Sequence, residues 1–318
     1  MTRLEAAEFL RQHDNYLVLT HRRPDGDAIG CSVGLVEILR GMGKTAWLPG
    51  QSDASELFAE YLEGQLAPAD FVPETVVSVD TASVDLLPDY ARIWSDRIDL
   101  AIDHHPSNEG FAKELLLEGD KAACGEILHG LAEELGVMTQ TIANALYVAV
   151  STDCGCFVYS NTTANTHRVA AALMEAGADY KRLNKKHFRT KSMARMRLEG
   201  LILQNTELSH GGVVAVAPIS LSMMAEVGAT ERDAEDIASL IGQIAGVRHS
   251  ATIRELKPGE CKISLRTAAD LNASHVCARL GGGGHAAAAG CTMSGSVEQA
   301  KTAILNAINA QMAEGRNG

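Results

Sequence analysis

Short apolar runs alternate with longer segments whose apolar positions recur every three to four residues, and this alternation fills the first half of the chain. Residues 16–20 (YLVLT) predict a strand, and 76–79 and 98–102 predict two more. Residues 28–41 predict a helix that stops at glycine. Residues 122–136 and 139–151 predict two further helices, the second with room for a buried strand at its end. The first fourteen residues predict an amphipathic helix carrying Glu5, Glu8 and Arg11 rather than a signal peptide. This β-α-β rhythm predicts a mostly parallel sheet flanked by helices.

The second half has another texture. Residues 213–218, 248–256 and 261–267 predict strands, the last two joined by a turn at Lys257, Pro258, Gly259 and Glu260. Residues 231–245 and 297–312 predict helices, so a smaller α/β domain with a mixed, partly antiparallel sheet is expected. Between the halves, residues 181–197 hold eight Lys and Arg and no acid. The expected division is 1–185 for the first domain, 186–208 for a linker and 209–318 for the second.

Composition narrows the function. A length of 318 residues suits two domains, and 46% hydrophobic with 21% charged residues suits a globular chain. Aromatics at 4% argue against a stacking platform for long single strands. The 28 Lys and Arg against 40 Asp and Glu leave a formal charge of -12, which disfavours a DNA-coating protein. Seven scattered cysteines form no CxxC pair, and no apolar run is long enough to span a bilayer. A reduced, cytoplasmic setting is expected, with no membrane partner.

The chemistry gathers where apolar segments end. The strand at 16–20 runs into His21, Arg22, Arg23, Pro24, Asp25, Gly26 and Asp27, and the run at 76–79 into Asp80. The third strand runs into Asp103, His104 and His105, and the apolar segment before Ser151 and Thr152 runs into Asp153. In a parallel sheet the strand C-termini emerge at one edge, so five Asp and three His are expected to meet there. That many carboxylates need compensating charge, and Asp/His sets without thiolate suit Mn²⁺, Mg²⁺ or Fe²⁺. Eight candidate ligands suit two ions, an arrangement for displacement at phosphorus. Taken singly each motif has a plain reading: a solvated turn at 21–27, a helix N-cap at Asp80, a surface turn before Pro106, a helix end at Asp153.

The order HxxxDxD, Asp, Asp-His-His, Asp resembles the DHH phosphoesterase superfamily. Ser264, Leu265 and Arg266, together with GGGGH at 281–285 and the Gly/Ala stretch to Gly290, resemble its DHHA1 C-terminal domain. Ser160, Asn161, Thr162 and Thr163 after Asp153 resemble the stand-alone nanoRNase branch, whose members degrade very short oligonucleotides and often dephosphorylate 3′-phosphoadenosine 5′-phosphate (pAp). The resemblance implies one metal on His21, Asp25 and Asp80 and a second on Asp27, Asp80, His104 and Asp153, both most simply Mn²⁺. It implies that Asp80 bridges, Asp103 orients His104, His105 faces the substrate phosphate or leaving group, and a metal-activated hydroxide attacks phosphorus. Arg266, Ser264, His285, Gly283 and Gly284 would hold the substrate. The implied partner is a short oligonucleotide or mononucleotide bisphosphate, not long duplex DNA, with room for a homodimer.

Two departures stand out: Cys154 and Cys156 follow the motif aspartate where relatives carry Ser or Thr, and Ala286 and Ala287 follow His285 where many carry polar residues. Two other functions stay open: a single-strand DNA exonuclease of the RecJ type, and a non-catalytic nucleotide-binding regulatory module. The basic run at 181–197 is either a solvated helix face or a phosphate-attracting surface.

Overall fold

The strand expected at 16–20 forms as β1 (Tyr16–Leu19), after a first helix α1 (Arg3–Gln12) that Thr2 and Glu5 close with a capping box. The structure is a computed structural model, and it describes residues 1–234 and 237–314. Backbone contacts divide the chain into two units, Met1–Thr190 and Lys191–Gly318. In the first, β1 is followed by α2 (Gly26–Gly41), β2 (Ala46–Trp47), β3 (Thr75–Val79), β4 (Leu100–Asp103) and β5 (Glu114–Leu117). Four helices follow: α3 (Cys124–Leu135), α4 (Gln140–Asp153), α5 (Ala164–Glu175) and α6 (Tyr180–Phe188).

The five strands pair in the order β2-β1-β3-β4-β5, and every pairing is parallel. All residues of β1, β3 and β4 are buried, as in parallel strands covered on both faces. No strand forms at the end of residues 139–151. There α4 runs unbroken from its Thr139 cap to Asp153, so the fourth acid-ended segment reaches the site from a helix rather than a strand. Its apolar run is long enough for a buried helix, which periodicity alone does not separate from a buried strand.

The first turn of α2 and the last turn of α4 lie against each other, and glycine makes that approach sterically feasible. A Cβ at Gly26 would stand 2.2 Å from Thr152 Oγ1, and one at Gly30 would stand 2.4 Å from the Ala145 carbonyl oxygen. Asp27 and Asp153 are the immediate neighbours of Gly26 and Thr152, so this contact sets their separation.

The second unit begins with α7 (Met193–Gln204), β6 (Glu207–Ser209), β7 (Val214–Ile219) and α8 (Leu221–Val227). It continues with β8 (His249–Lys257), β9 (Glu260–Thr267), α9 (Ala273–Ala278), β10 (Gly283–Gly284), β11 (Ala288–Ser294) and α10 (Val297–Glu314). Its sheet has the order β10-β11-β9-β8-β7-β6; β7 and β8 are parallel and the other pairs antiparallel. The turn expected at 257–260 joins β8 to β9, with Gly259 at φ 79°. One sheet face packs Ala251, Ile253, Ile263 and Leu265 with side chains of α9 and α10. The strand β7 packs through Ala215, Ala217 and Ile219 against α7, α8 and short 3₁₀ segments.

Those 3₁₀ segments replace the helix expected over 231–245. They span Glu231–Ala234, Ile237–Ser239 and Ile241–Gln243; residues 235–236 of that expected helix lie outside the described residues. Ala234, Ile237 and Ile241 are buried as a helical period requires, but Ser239, Gly242 and Gly246 are weak helix formers and the backbone tightens. The segment 186–208, read from sequence as a linker, holds the end of α6, all of α7 and the start of β6. No helix among the described residues is long and apolar enough to cross a membrane.

The α2–α4 contact gives a direct test. Gly30→Val would have to displace helix backbone and should destabilise the first unit by about 1–3 kcal/mol, a loss of several degrees in thermal unfolding. Gly34→Ala, whose added Cβ would meet the flexible end of Leu146 at 2.8 Å, should cost less than half as much. Equal melting temperatures for both variants would contradict a tight α2–α4 seam.

Candidate metal centre

The C-terminal ends of β1, β3 and β4 open onto one cavity of ≈ 270 Å³, lined by His21, Asp25, Asp80, His104, His105, Asp153, Ala82, Leu86 and Ser107. Asp25 caps α2, its Oδ1 accepting the backbone N–H groups of Asp27 and Ala28 at 3.1 Å each, and stays exposed at the mouth. Asp27, two residues on, is buried against the start of α3. Its carboxylate accepts the Cys124 N–H at 2.7 Å and the Gly125 N–H at 3.0 Å, with the Cys31 thiol donating at 3.1 Å. A helix N-terminus aimed at a carboxylate is favourable for both.

Asp80 follows β3 with a left-handed backbone, φ 50°, which is strained for a residue with a side chain. Its backbone N–H is tied to the Ile102 carbonyl at 3.0 Å, which holds the carboxylate at the sheet edge. The side chain is buried, and Oδ1 has no hydrogen-bond partner. That oxygen lies 3.5 Å from His104 Nε2 and 3.6 Å from His105 Nδ1, while Oδ2 lies 4.0 Å from His21 Nε2. His104 Nε2 also stands 3.8 Å from both Asp27 Oδ2 and Asp153 Oδ2.

The donor atoms form three overlapping groups among the described residues: His21, Asp25 and Asp80; Asp27, His104 and Asp153; and Asp80, His104 and His105. Within each, all the atoms lie within 4.8 Å of one another, and Asp80 belongs to two. Backbone carbonyls fix the imidazoles, since Nδ1 of His21 contacts the Arg22 carbonyl at 3.0 Å and Nδ1 of His104 the Lys121 carbonyl at 3.1 Å. Both rings therefore turn Nε2 toward the carboxylates.

The expected role of Asp103 needs correction. Its carboxylate bonds the ring of His105, Nδ1 to Oδ1 at 2.8 Å, and takes only the backbone N–H from His104, at 2.8 Å. The Lys121 carbonyl occupies the place on the His104 ring, because Asp103 is fully buried at the end of β4 and reaches only the next turn of chain. Asn108 anchors Asp103 from the other side, donating to Oδ2 at 2.7 Å and to the Thr81 carbonyl at 3.1 Å.

The electrostatics separate two kinds of acid. Burial pushes the Asp27 and Asp80 carboxyls up, for Asp80 with repulsion from Asp27 added, and it pushes Asp153 up to about 7. For Asp103, burial acts in the same direction but the hydrogen bonds from His105 and Asn108 outweigh it and hold the carboxyl below its ordinary range. The hydrogen bond to Asp103 raises His105 in turn. Three carboxylates that resist ionising together, an orphaned oxygen on Asp80 and imidazole nitrogens turned inward form an oxygen and nitrogen donor set suited to divalent cations.

The remaining expected residues lie in the second unit. Ser264 and Arg266 line a separate cavity of ≈ 300 Å³ with Thr252, Arg254 and Lys262. Gly283 pairs with Gly290 and Gly290 with Ser264, so the glycine strand stands two strands from that row, with β11 between. Gly284 takes φ 141° and the exposed His285 turns the hairpin, its N–H bonded to the Ala288 carbonyl at 2.8 Å. Ala286 and Ala287 act through their carbonyls, which accept the Ala273 and Thr267 N–H groups.

Ser107, Asn108 and the Arg254/Lys262 pair went unnoticed in the sequence. A period-two alternation across 252–254 and 262–266 carries a signal for the last pair; Ser107 and Asn108 show only nearness to His105. In the basic run, Arg182 and Lys186 pair with Glu60, and Lys191 and Arg195 with Glu199. Cys154 is buried, its thiol pushed up to about 12 by burial, as befits a small core residue.

Comparison with known proteins agrees with this layout. Residues 15–150 match the DHH family N-terminal domain, and residues 212–314 match the DHHA1 domain. The bifunctional oligoribonuclease and PAP phosphatase NrnA of Thermus thermophilus is 31% identical over 93% of this chain and 89% of its own length. The NrnA of Bacillus subtilis is 26% identical over 88% of this chain and 90% of its own. An exopolyphosphatase-related protein from Bacteroides fragilis shares the fold, with a TM-score of 0.88 at 20% identity over 99% of this chain and 97% of that one. Both domains in order, and a relative this similar along nearly its whole length, establish that the chain belongs to the DHH family.

Proposed function

We propose that this protein is a two-metal phosphoesterase that hydrolyses very short oligoribonucleotides such as pApA, together with pAp. The observation that carries the reading is the convergence of Asp27, Asp80 and Asp153 on His104 Nε2 within 3.5–3.8 Å, with the buried Asp80 Oδ1 left without a partner. The activities named for the Thermus and Bacillus relatives support the choice of substrate. In this reading His21, Asp25 and Asp80 hold one divalent cation and Asp27, Asp80, His104 and Asp153 a second, with Mn²⁺ the natural occupant of such a set. Two cations so held supply Lewis acidity at a phosphoryl oxygen and a water of lowered pKa.

The chain's own groups do the rest. Asp103 fixes through Nδ1 the ring of His105, which lines the cavity, and the bond favours the protonated ring, a proton donor suited to a departing alkoxide. Ser107 adds a hydroxyl to the same wall. In the second unit Arg266 and Ser264 hold a substrate phosphate, with Gly283, Gly284 and His285 offering backbone and ring donors. The first unit is the metal-holding domain and the second the substrate-binding domain.

Three measurements test this. With Mn²⁺ present, the protein should hydrolyse pApA and pAp and act feebly on a thirty-nucleotide single-stranded DNA; activity on the long DNA alone would overturn the substrate choice. Asp80→Asn should lower turnover by at least about two orders of magnitude. It should also abolish the stabilisation that Mn²⁺ gives the wild type, about 2.7 kcal/mol at a hundredfold excess over Kd. Retained Mn²⁺ stabilisation in that variant would contradict a shared ligand.

The pH dependence of the metal-free protein follows from the acids. Folded Asp153 keeps its proton up to about pH 7, whereas an unfolded aspartate releases its own near 3.9. Between those values the folded state binds more protons, so thermal unfolding in a chelator should shift upward as the pH falls from about 8 to about 5. With Mn²⁺ the trend should reverse, because protons compete for the ligands. A flat chelated profile would contradict crowded carboxylates.

A further inference from the structure

The segment that follows Asp153 departs from ordinary backbone for three residues in a row. Gly155, Cys156 and Phe157 take φ values of 54°, 55° and 68°, two of them with side chains that disfavour this region. Local hydrogen bonds hold the conformation: the Cys156 N–H reaches the Ser151 carbonyl at 2.7 Å, and the Val158 and Tyr159 N–H groups reach the Cys154 carbonyl at 3.0 and 3.1 Å. Asn161 ties the far end back, its Nδ2 donating to the Asp153 carbonyl at 3.2 Å and the Ala122 carbonyl at 3.0 Å. A loop so fixed moves with the metal-site aspartate it follows.

The strained backbone sorts its side chains. Phe157 turns inward, 5.2 Å from the His167 ring and 6.3 Å from that of Tyr147. Tyr159 turns outward and lies on Gly155, where a Cβ would meet three atoms of its ring at 2.4–2.6 Å. One side of the phenol ring is therefore backed by glycine backbone two residues beyond Asp153, and the residue remains 58% exposed. A rigid aromatic ring with a supported face and an open one suits a planar π-system.

We propose that Tyr159 is a base-stacking residue for the nucleotide whose phosphate enters the metal cavity. The inference rests on the phosphoesterase reading and deepens it, by assigning the nucleobase as a recognised part of the substrate. Stacking is tolerant of base identity, since every base offers a π-face. A single platform holds a single base, which accords with a chain poor in aromatics and with very short substrates.

The test compares ligands that differ only in the base. AMP and ribose 5-phosphate are titrated against wild type, Tyr159→Ala and Tyr159→Phe in the presence of Mn²⁺, and the kinetics of pApA hydrolysis are measured in parallel. Tyr159→Ala should weaken AMP binding and raise the KM for pApA by about ten- to a hundredfold at unchanged kcat. Ribose 5-phosphate binding should stay as in wild type, and Tyr159→Phe should behave as wild type throughout. Equal losses for AMP and ribose 5-phosphate, or no loss for AMP, would overturn the proposal. If wild type hydrolysed none of these substrates, the phosphoesterase reading would fail by itself, and the AMP titration would still decide the role of Tyr159. Failure of wild type to prefer AMP over ribose 5-phosphate would overturn that role.

Discussion

Three carboxylates converging on one imidazole nitrogen form the constraint around which the first unit is organised. In water they would repel weakly; buried, each raises the cost of ionising the others. Three features of the fold nevertheless force them together. The α3 N-terminus fixes Asp27, the left-handed backbone fixes Asp80, and the close α2–α4 seam brings Asp153 toward Asp27. A fold that placed these groups for stability alone would separate them or replace one. Their persistence in a low-dielectric cavity makes chemical sense when divalent cations complete the arrangement.

The same constraint explains how much could be read from the sequence. Strands β1, β3 and β4 were legible because parallel, doubly covered strands are short continuous apolar runs, and the acids at their ends stood out against them. The sheet-edge rule then gathers His21, Asp25, Asp27, Asp80 and the Asp-His-His run from the sequence alone. Asp153 was gathered for an incomplete reason, since it arrives on the helix α4 and not on a strand; the helix C-terminus happens to end at the same edge. The short pairs β2 and β10 span two residues each and carry no periodicity to detect. The partner of Asp103 was out of reach as well, because which of two adjacent histidines a carboxylate orients is decided by how the chain turns after β4.

Net charge gains meaning only when divided along the same lines. The -12 of the chain disfavours a DNA-coating role on charge grounds, and it carries no information about affinity for a small phosphate. Within the first unit the acids near the sheet edge form, with the imidazoles, a donor set suited to divalent cations. In the run at 181–197, the most basic stretch of sequence, four of the eight cations pair with Glu60 and Glu199, as structural ion pairs do.

The reverse holds in the second unit, where Lys262 and Arg266 line a cavity with no carboxylate partner among the described residues. Lys262 also faces Arg254 across the β8–β9 pair, and like charges directly opposite repel. Arg254, across the strand pair, is held by Glu231 and so adds less free positive charge than its neighbours. Each unit thus concentrates charge of one sign in a cavity of its own: cations line the one in the second unit, and carboxylates with imidazoles line the one in the first.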